Sequence, residues 1–298
     1  MELLLALPAP AKLNLFLHVI GRRADGYHEL QTAYTLIDLS DLLDFERRSD
    51  GAIVREGDII GSADQDLAVR AARALNEYAG TTHGVTIEIA KRIPAGSGLG
   101  GGSSDAATTL IALNRLWDLG LSRPQLSEIG LSLGADVPFF LHGHNAYAEG
   151  IGERLTTIEI PPTWFAIIWP GIHVSTREIF NDPGLTRNSK ATKMRALSVA
   201  ADSVTAENPA GASPAETLEI SSLGVNDLQA VARRRYPTID QALKRLERFG
   251  TARMTGSGSA VFVAAESRGQ AELAIAELPQ EWRGWVVEEV NEHPLAAW

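Results

Sequence analysis

Residues Pro94 to Ser104 read Pro-Ala-Gly-Ser-Gly-Leu-Gly-Gly-Gly-Ser-Ser, with five glycines in the seven positions from Gly96 to Gly102. Glycine at that density suits a backbone that takes positive φ or comes close to a ligand. The segment runs directly into a helical pattern. Unpaired N–H groups and the dipole at a helix start favour an anion, so phosphate binding is the direct physical conclusion. Ser103 and Ser104 are candidates to cap the helix, contact a phosphate or touch Mg2+. Four further groups can do chemistry. Lys12 and Asn14 are two residues apart in an alternating segment. Asp136 stands in Gly-Ala-Asp-Val-Pro, where a turn or helix-cap aspartate is equally at home. Tyr27 and His28 follow a glycine turn. Gly256-Ser257-Gly258-Ser259 is a second tight glycine turn.

The elements around these groups follow from periodicity. Residues 11–19 alternate, with Ala11, Leu13, Leu15, Leu17 and Val19 on one side and Lys12, Asn14, Phe16 and His18 on the other. This predicts a strand with one buried face, from which Lys12 and Asn14 project to the same, non-core side. Further strands are expected over 30–38, 42–46, 85–90, 145–158 with its turn, 164–169, 252–254, 260–264 and 285–290. Helices are expected over 66–78, 104–118, 124–133, 227–236, 239–249 and 270–277. The helix after the glycine loop carries Ala106, Leu110, Leu113 and Trp117 on one stripe. Residues 196–222 turn to Ala, Ser, Glu and Pro and lose their aromatics, which suits a long loop or insertion. A βαβ-type half and an α+β half result, with the boundary near 158–162.

Composition removes several classes of function. The chain of 298 residues is 45% hydrophobic and 21% charged, ordinary for a globular enzyme of two domains. It has no cysteine, so disulfides, thiolate nucleophiles and Cys-based metal sites are excluded. Its seven histidines show no His-x-x-x-His pair, and its formal net charge of −10 speaks against nucleic-acid binding. The first residues carry Glu2 ahead of a leucine run broken by prolines, which reads as a cytoplasmic start rather than a signal peptide. Gly96-x-Gly98-x-x-Gly101 matches the dinucleotide fingerprint, but it lacks the acidic strand end about twenty residues on. The loop has no Gly-Lys-Ser/Thr, and the protein-kinase motifs are absent.

Three segments in order resemble the GHMP kinases: APAKLN at 9–14, the loop from Pro94 to Ser104, and MTGSGSA at 254–260. GRRADGYHEL (21–30), GADVPFFLHGHNAYAEGIGE (134–153) and IFNDPGLTRN (179–188) are similar to the branch acting on 4-diphosphocytidyl-2-C-methyl-D-erythritol. The resemblance covers nearly the whole chain except about 196–222, where this chain is longer and richer in Ala and Ser.

That resemblance implies an α+β, two-domain fold. A ribosomal-protein-S5-like domain over 1–160 would hold ATP and the catalytic groups. A ferredoxin-like domain over 161–298 would hold substrate, its last strand packing back on the first domain. It implies ATP with Mg2+, bound through Pro94, Ala95, Gly96, Ser97, Gly98, Leu99, Gly100, Gly101, Gly102, Ser103 and Ser104, with no dedicated protein metal site beyond a contribution from Ser104. It implies catalytic roles for Lys12 and Asp136, and substrate contacts from Asn14, Tyr27, His28, Asp136, Thr176, Phe180, Gly256 and Ser257. Tyr27, His28 and Phe180 would recognise cytosine, and Gly256 and Ser257 would lie near the substrate's phosphates. The implied reaction is in-line phosphorylation of the 2-hydroxyl in the non-mevalonate isoprenoid pathway, by a cytoplasmic monomer or homodimer. Rival readings are a GHMP kinase for homoserine, mevalonate or a sugar, and a nucleotide-binding sensor.

Overall fold

A computed structural model describes residues 2–58, 61–62, 64–191 and 224–298. The compositional segment at 196–222 lies outside the described residues. Two long antiparallel strands, β1 (Leu3–Arg22) and β2 (His28–Arg48), form the frame and pair from Leu3↔Glu46 to Arg22↔His28. The register shifts at four places along the way, one of them between Pro10 and Ala11. Each shift adds local twist and bends the ladder.

The sequence predicts two strands over 30–38 and 42–46; the ladder is continuous through Ser40 and Asp41 instead. Asp41 reads as a break because it is charged. Its fully buried carboxylate is satisfied from outside the strand, by the N–H groups of Arg92 and Ile93 and by Lys91.

β3 (Ile53–Gly57) pairs in parallel with β4 (Gly84–Ala90), and α1 (Leu67–Ala79) makes the crossover between them. Asp66 starts α1 by accepting from the Ala68 N–H, and Gly80 ends it in the left-handed region. Next come α2 (Gly101–Leu116), α3 (Arg123–Leu133) and α4 (Val137–His142). They pack with α1 on one face of β2 and β4, around Leu75, Ile87, Leu110 and Phe139. The chain continues through β5 (Ala146–Gly150), β6 (Arg154–Thr157), β7 (Trp164–Trp169), α5 (Thr176–Asn181), α6 (Gln229–Arg235) and α7 (Pro237–Leu246). It ends with β8 (Arg253–Met254), β9 (Val261–Ala265), α8 (Arg268–Ile275) and β10 (Arg283–Val290).

Among the described residues the sheet runs β3-β4-β2-β10-β7-β9-β8, with β1 and β5 both paired to β2 and β6 to β5. β10 is the connector. Arg283 to Glu288 pair with β7, then Glu289 and Val290 pair with Ile37 and Leu36 of β2. An apolar cluster at this join combines Leu13, Leu15 and Phe16 with Phe165, Ile167 and Phe262. Burying large side chains from both halves there stabilises their relative position by roughly 1.5–3 kcal/mol per side chain.

The polar side of β1 departs from the sequence expectation of a single buried face. Ala11, Leu13 and Leu15 are fully buried, and Lys12 and Asn14 on the opposite side are each only 2% exposed, while the register shift between Asn14 and Phe16 carries Phe16, expected beside them, over to the side of Leu13. Segments from far along the chain close over that side. The Lys12 N–H donates to the Leu99 carbonyl at 3.0 Å, and the Asn14 N–H donates to Thr255 Oγ1 at 3.0 Å.

Candidate functional site

A cleft of about 710 Å³ opens where α2, the polar side of β1 and the turn after β8 meet. α2 begins without a side-chain cap. Gly100 precedes it in the left-handed region, and the first backbone bond of this turn is from the Ser104 N–H to the Gly100 carbonyl at 2.9 Å. The amides before Ser104 at the helix start have no partner within the helix, and Gly100, Gly101, Gly102 and Ser103 all line the cleft. Glycine is required at Gly98: its φ is +82°, and a Cβ there would run into the Thr255 carbonyl. Gly96, with φ +65°, leaves room for the ring of His173.

Of the other loop residues, Pro94, Ala95 and Ser97 also line the cleft, while Leu99 and Ser104 sit behind its wall, both fully buried. The Ser104 hydroxyl has no hydrogen-bond partner among the described residues. The loop is fastened to the second glycine turn. The Ala260 N–H donates to the Ser97 carbonyl at 2.8 Å, and the Thr255 hydroxyl reaches the Gly98 carbonyl at 3.2 Å. Gly256 and Ser257 of that turn line the cleft, and Ser257 Oγ lies 2.7 Å from Thr176 Oγ1 across it.

Lys12 and Asp136 come together between the two loops. Lys12 Nζ donates to Asn14 Oδ1 at 2.5 Å and lies 3.5 Å from Asp136 Oδ2. Asn14 is held in turn by donating to Thr32 Oγ1 at 3.0 Å. Lys12 is almost wholly buried, whereas about a third of the Asp136 side chain is open to the cleft. The other Asp136 oxygen, Oδ1, accepts from the Tyr34 hydroxyl at 3.0 Å. Burial, and then the Asp136 carboxylate, push the Tyr34 phenol well above its ordinary range, so it stays a donor. The Lys12 ammonium lies 5.3 Å from the Tyr34 ring centre, which adds an attraction to the ring face. Tyr34 escapes the sequence argument, yet β1–β2 pairing sets it directly opposite Asn14.

A second charged group sits at the far end of the glycine loop, also unanticipated. Lys91 Nζ bonds Asp41 Oδ2 at 2.5 Å and Asp105 Oδ2 at 2.6 Å. Two buried carboxylates share one ammonium, and burial pushes Asp105 up to about 7 against the pull of Lys91. Arg55 and Asp66 form a further buried pair at 2.9 Å on this wall.

The remaining substrate candidates lie at the opposite end. Phe180 lines the cleft, and its ring packs on His28 with centroids 4.9 Å apart and planes 31° apart. His28 itself is buried behind Phe180 rather than on the cleft wall, and Tyr27 is 60% exposed. Arg187, absent from the sequence argument, donates to His28 Nε2 at 3.2 Å. Among the described residues no group of three or more His, Asp or Glu converges as a metal cage, and no helix is long and apolar enough to cross a membrane.

Comparison with known proteins gives a consistent picture. Residues 66–144 match the GHMP kinases N terminal domain and residues 212–284 match GHMP kinases C terminal. A 4-diphosphocytidyl-2-C-methyl-D-erythritol kinase of Herminiimonas arsenicoxydans is 50% identical over 97% of this chain and 96% of its own. The enzyme of the same name from Ralstonia pickettii (strain 12J) is 53% identical over 97% and 95%. A crystal structure of 4-(cytidine 5'-diphospho)-2C-methyl-D-erythritol kinase superposes with a TM-score of 0.76 at 35% identity, covering 97% of this chain and 99% of that one. A mevalonate kinase superposes at 0.65 with 15% identity, covering 98% and 100%, a likeness of fold alone.

Proposed function

The chain belongs to the 4-diphosphocytidyl-2-C-methyl-D-erythritol kinases of the GHMP family, and from that premise we propose how its cleft carries out the transfer. The enzyme uses ATP to phosphorylate the 2-hydroxyl of 4-diphosphocytidyl-2-C-methyl-D-erythritol, a step of the non-mevalonate isoprenoid pathway. The observation that carries the assignment of parts is the Lys12–Asp136 pair, 3.5 Å apart between the helix-start loop and the Gly256–Ser257 turn.

In this reading the ATP phosphates rest on the backbone amides at the start of α2, from Gly100 to Ser103. The helix dipole and fixed N–H groups meet negative charge there without reorganising during transfer. Lys12 uses one N–H on Asn14 and leaves donors for an oxygen of the transferring group. Asp136 holds the hydrogen of the acceptor hydroxyl and turns its oxygen towards the γ-phosphorus. A loose phosphoryl-transfer transition state needs this alignment more than a strong base. Tyr34 occupies Asp136 Oδ1, so Oδ2 is the oxygen presented to Lys12 and the acceptor.

Mg2+ fits this site as an ion carried mainly by the nucleotide. The cleft offers oxygen donors, the Ser103 hydroxyl and the Asp136 carboxylate, and Ser103 Oγ stands 4.0 Å from where a Cβ on Gly134 would lie, next to the Asp136 turn. Bound with ATP, the ion would supply positive charge that offsets the charge of the nucleotide's phosphates. Phe180, backed by His28 and with Tyr27 at the rim, forms the wall for the cytosine ring, and Thr176 and Ser257 lie along the way to the diphosphate. Residues 1–160 then supply the ATP and catalytic groups, and 161–298 the Thr176, Phe180 and Gly256–Ser257 walls.

ADP release with ATP and Mg2+ tests the assignment. Turnover is expected with the cytidylyl substrate and not with its form lacking the cytidine group, with homoserine or with mevalonate. Equal turnover without the cytidine group would overturn the acceptor wall.

A further inference from the structure

Arg187 lies behind the acceptor end of the cleft and spends most of its guanidinium on the segments that form it. Nε donates to His28 Nε2 at 3.2 Å. Nη2 donates to the carbonyls of Phe180 at 2.8 Å and Asp182 at 2.9 Å, and Nη1 to that of Leu185 at 3.2 Å. One side chain thus ties the end of α5, which carries Phe180, to the first residue of β2, which is His28. The same stretch is anchored from its other side, where the Asp182 carboxylate accepts from Arg234 at 2.6 Å and Arg235 at 3.0 Å.

The contact with His28 decides a proton. A guanidinium carries five N–H donors and no acceptor, and it does not deprotonate in a protein. The ring nitrogen that faces it must offer a lone pair. His28 Nε2 is therefore unprotonated, and the single ring proton of the neutral imidazole sits on Nδ1. Neutrality is secured by the surroundings. Burial, and then Arg187 and Arg22, hold the His28 imidazole below its ordinary value.

We infer that Arg187 is a positioning residue of the acceptor pocket, fixing His28 as its Nδ1–H tautomer and holding the Phe180 segment against it. The inference rests on the acceptor wall proposed above and extends it. With its ring fixed, His28 backs the Phe180 ring that lines the cleft, so Arg187 shapes the acceptor wall from behind it.

The test is the 15N spectrum of the histidine rings in the free enzyme, with the His28 signals assigned by their loss in His28→Gln. Nδ1–H is expected for His28 in the wild type. In Arg187→Leu the proton should redistribute to Nε2, and Arg187→Lys should retain part of the wild-type pattern. In steady-state kinetics Arg187→Leu should raise the KM for the cytidylyl substrate about 10- to 100-fold, well beyond any change in the KM for ATP. A wild-type His28 protonated on Nε2 would overturn the inference whatever the enzyme phosphorylates. So would a tautomer that persists in Arg187→Leu, or equal rises in both KM values. The ring spectrum needs no substrate, so failure of the acceptor assignment would leave it readable.

Discussion

One end of the cleft is built of consecutive residues, from Gly100 to Ser103 at the start of α2. The other is built of side chains from separate segments: Phe180 and Thr176 on α5, Ser257 after β8, with His28 behind Phe180 and Arg187 behind both. The first end depends on the path of the chain, and glycines at positive φ allow that path. The second depends on rotamers and on contacts over long sequence separations, such as the 159 residues between Arg187 and His28. A backbone site recognises phosphate whatever molecule carries it. A side-chain site can distinguish one acceptor from another. Lys12 and Asp136 lie where the two ends meet.

Lys12 lies between the two ends, so its loss should outweigh the loss of a residue at either end. Lys12→Ala is expected to lower kcat about 10²–10³-fold. A folded variant with near-normal kcat would remove Lys12 from the transfer. A smaller, crossed pair of effects separates the ends. Phe180→Ala should raise the KM for the cytidylyl substrate about 10- to 100-fold, the loss of one base-stacking platform. Gly98→Ala forces a Cβ towards the Thr255 carbonyl at φ +82° and should raise the KM for ATP about 10-fold. If each variant moved both KM values alike, the division into two ends would fail.

The smallest effect concerns the Asp41–Lys91–Asp105 group behind the glycine loop. Asp105 is raised from 3.8 to about 7 by burial, so the folded state holds a proton that the unfolded state releases. Its contribution is complete below about pH 4 and is lost as pH rises towards 7. Asp105→Asn removes that dependence, and its melting temperature relative to wild type should climb by a few degrees across this window. A constant difference would mean that Asp105 titrates alike in both states.

The two ends were also unequally legible before the structure. Glycine density and the following helical stripe mark the phosphate loop in one short window, and period two places Lys12 and Asn14 on the same side of their strand. Burial of that side was hidden, because Leu99 and Thr255 cover it from 87 and 241 residues away. β3 and α4 also went unread. Five residues ending in Arg55-Glu56-Gly57 and six containing Pro138 are too short for periodicity to speak. Tyr34 becomes visible only when β1 and β2 are set in register, and Arg187 only when α5 is docked on the start of β2.

Asp136→Asn tests the central claim most directly, because it keeps the shape of the side chain and removes its charge. Turnover and the dissociation constants for ATP and the cytidylyl substrate should be measured on the same folded protein. The account predicts a fall in kcat of about 10²–10⁴-fold with both dissociation constants within a few-fold of wild type. Near-normal turnover in that variant would contradict it and move the transfer chemistry away from the Lys12–Asp136 pair.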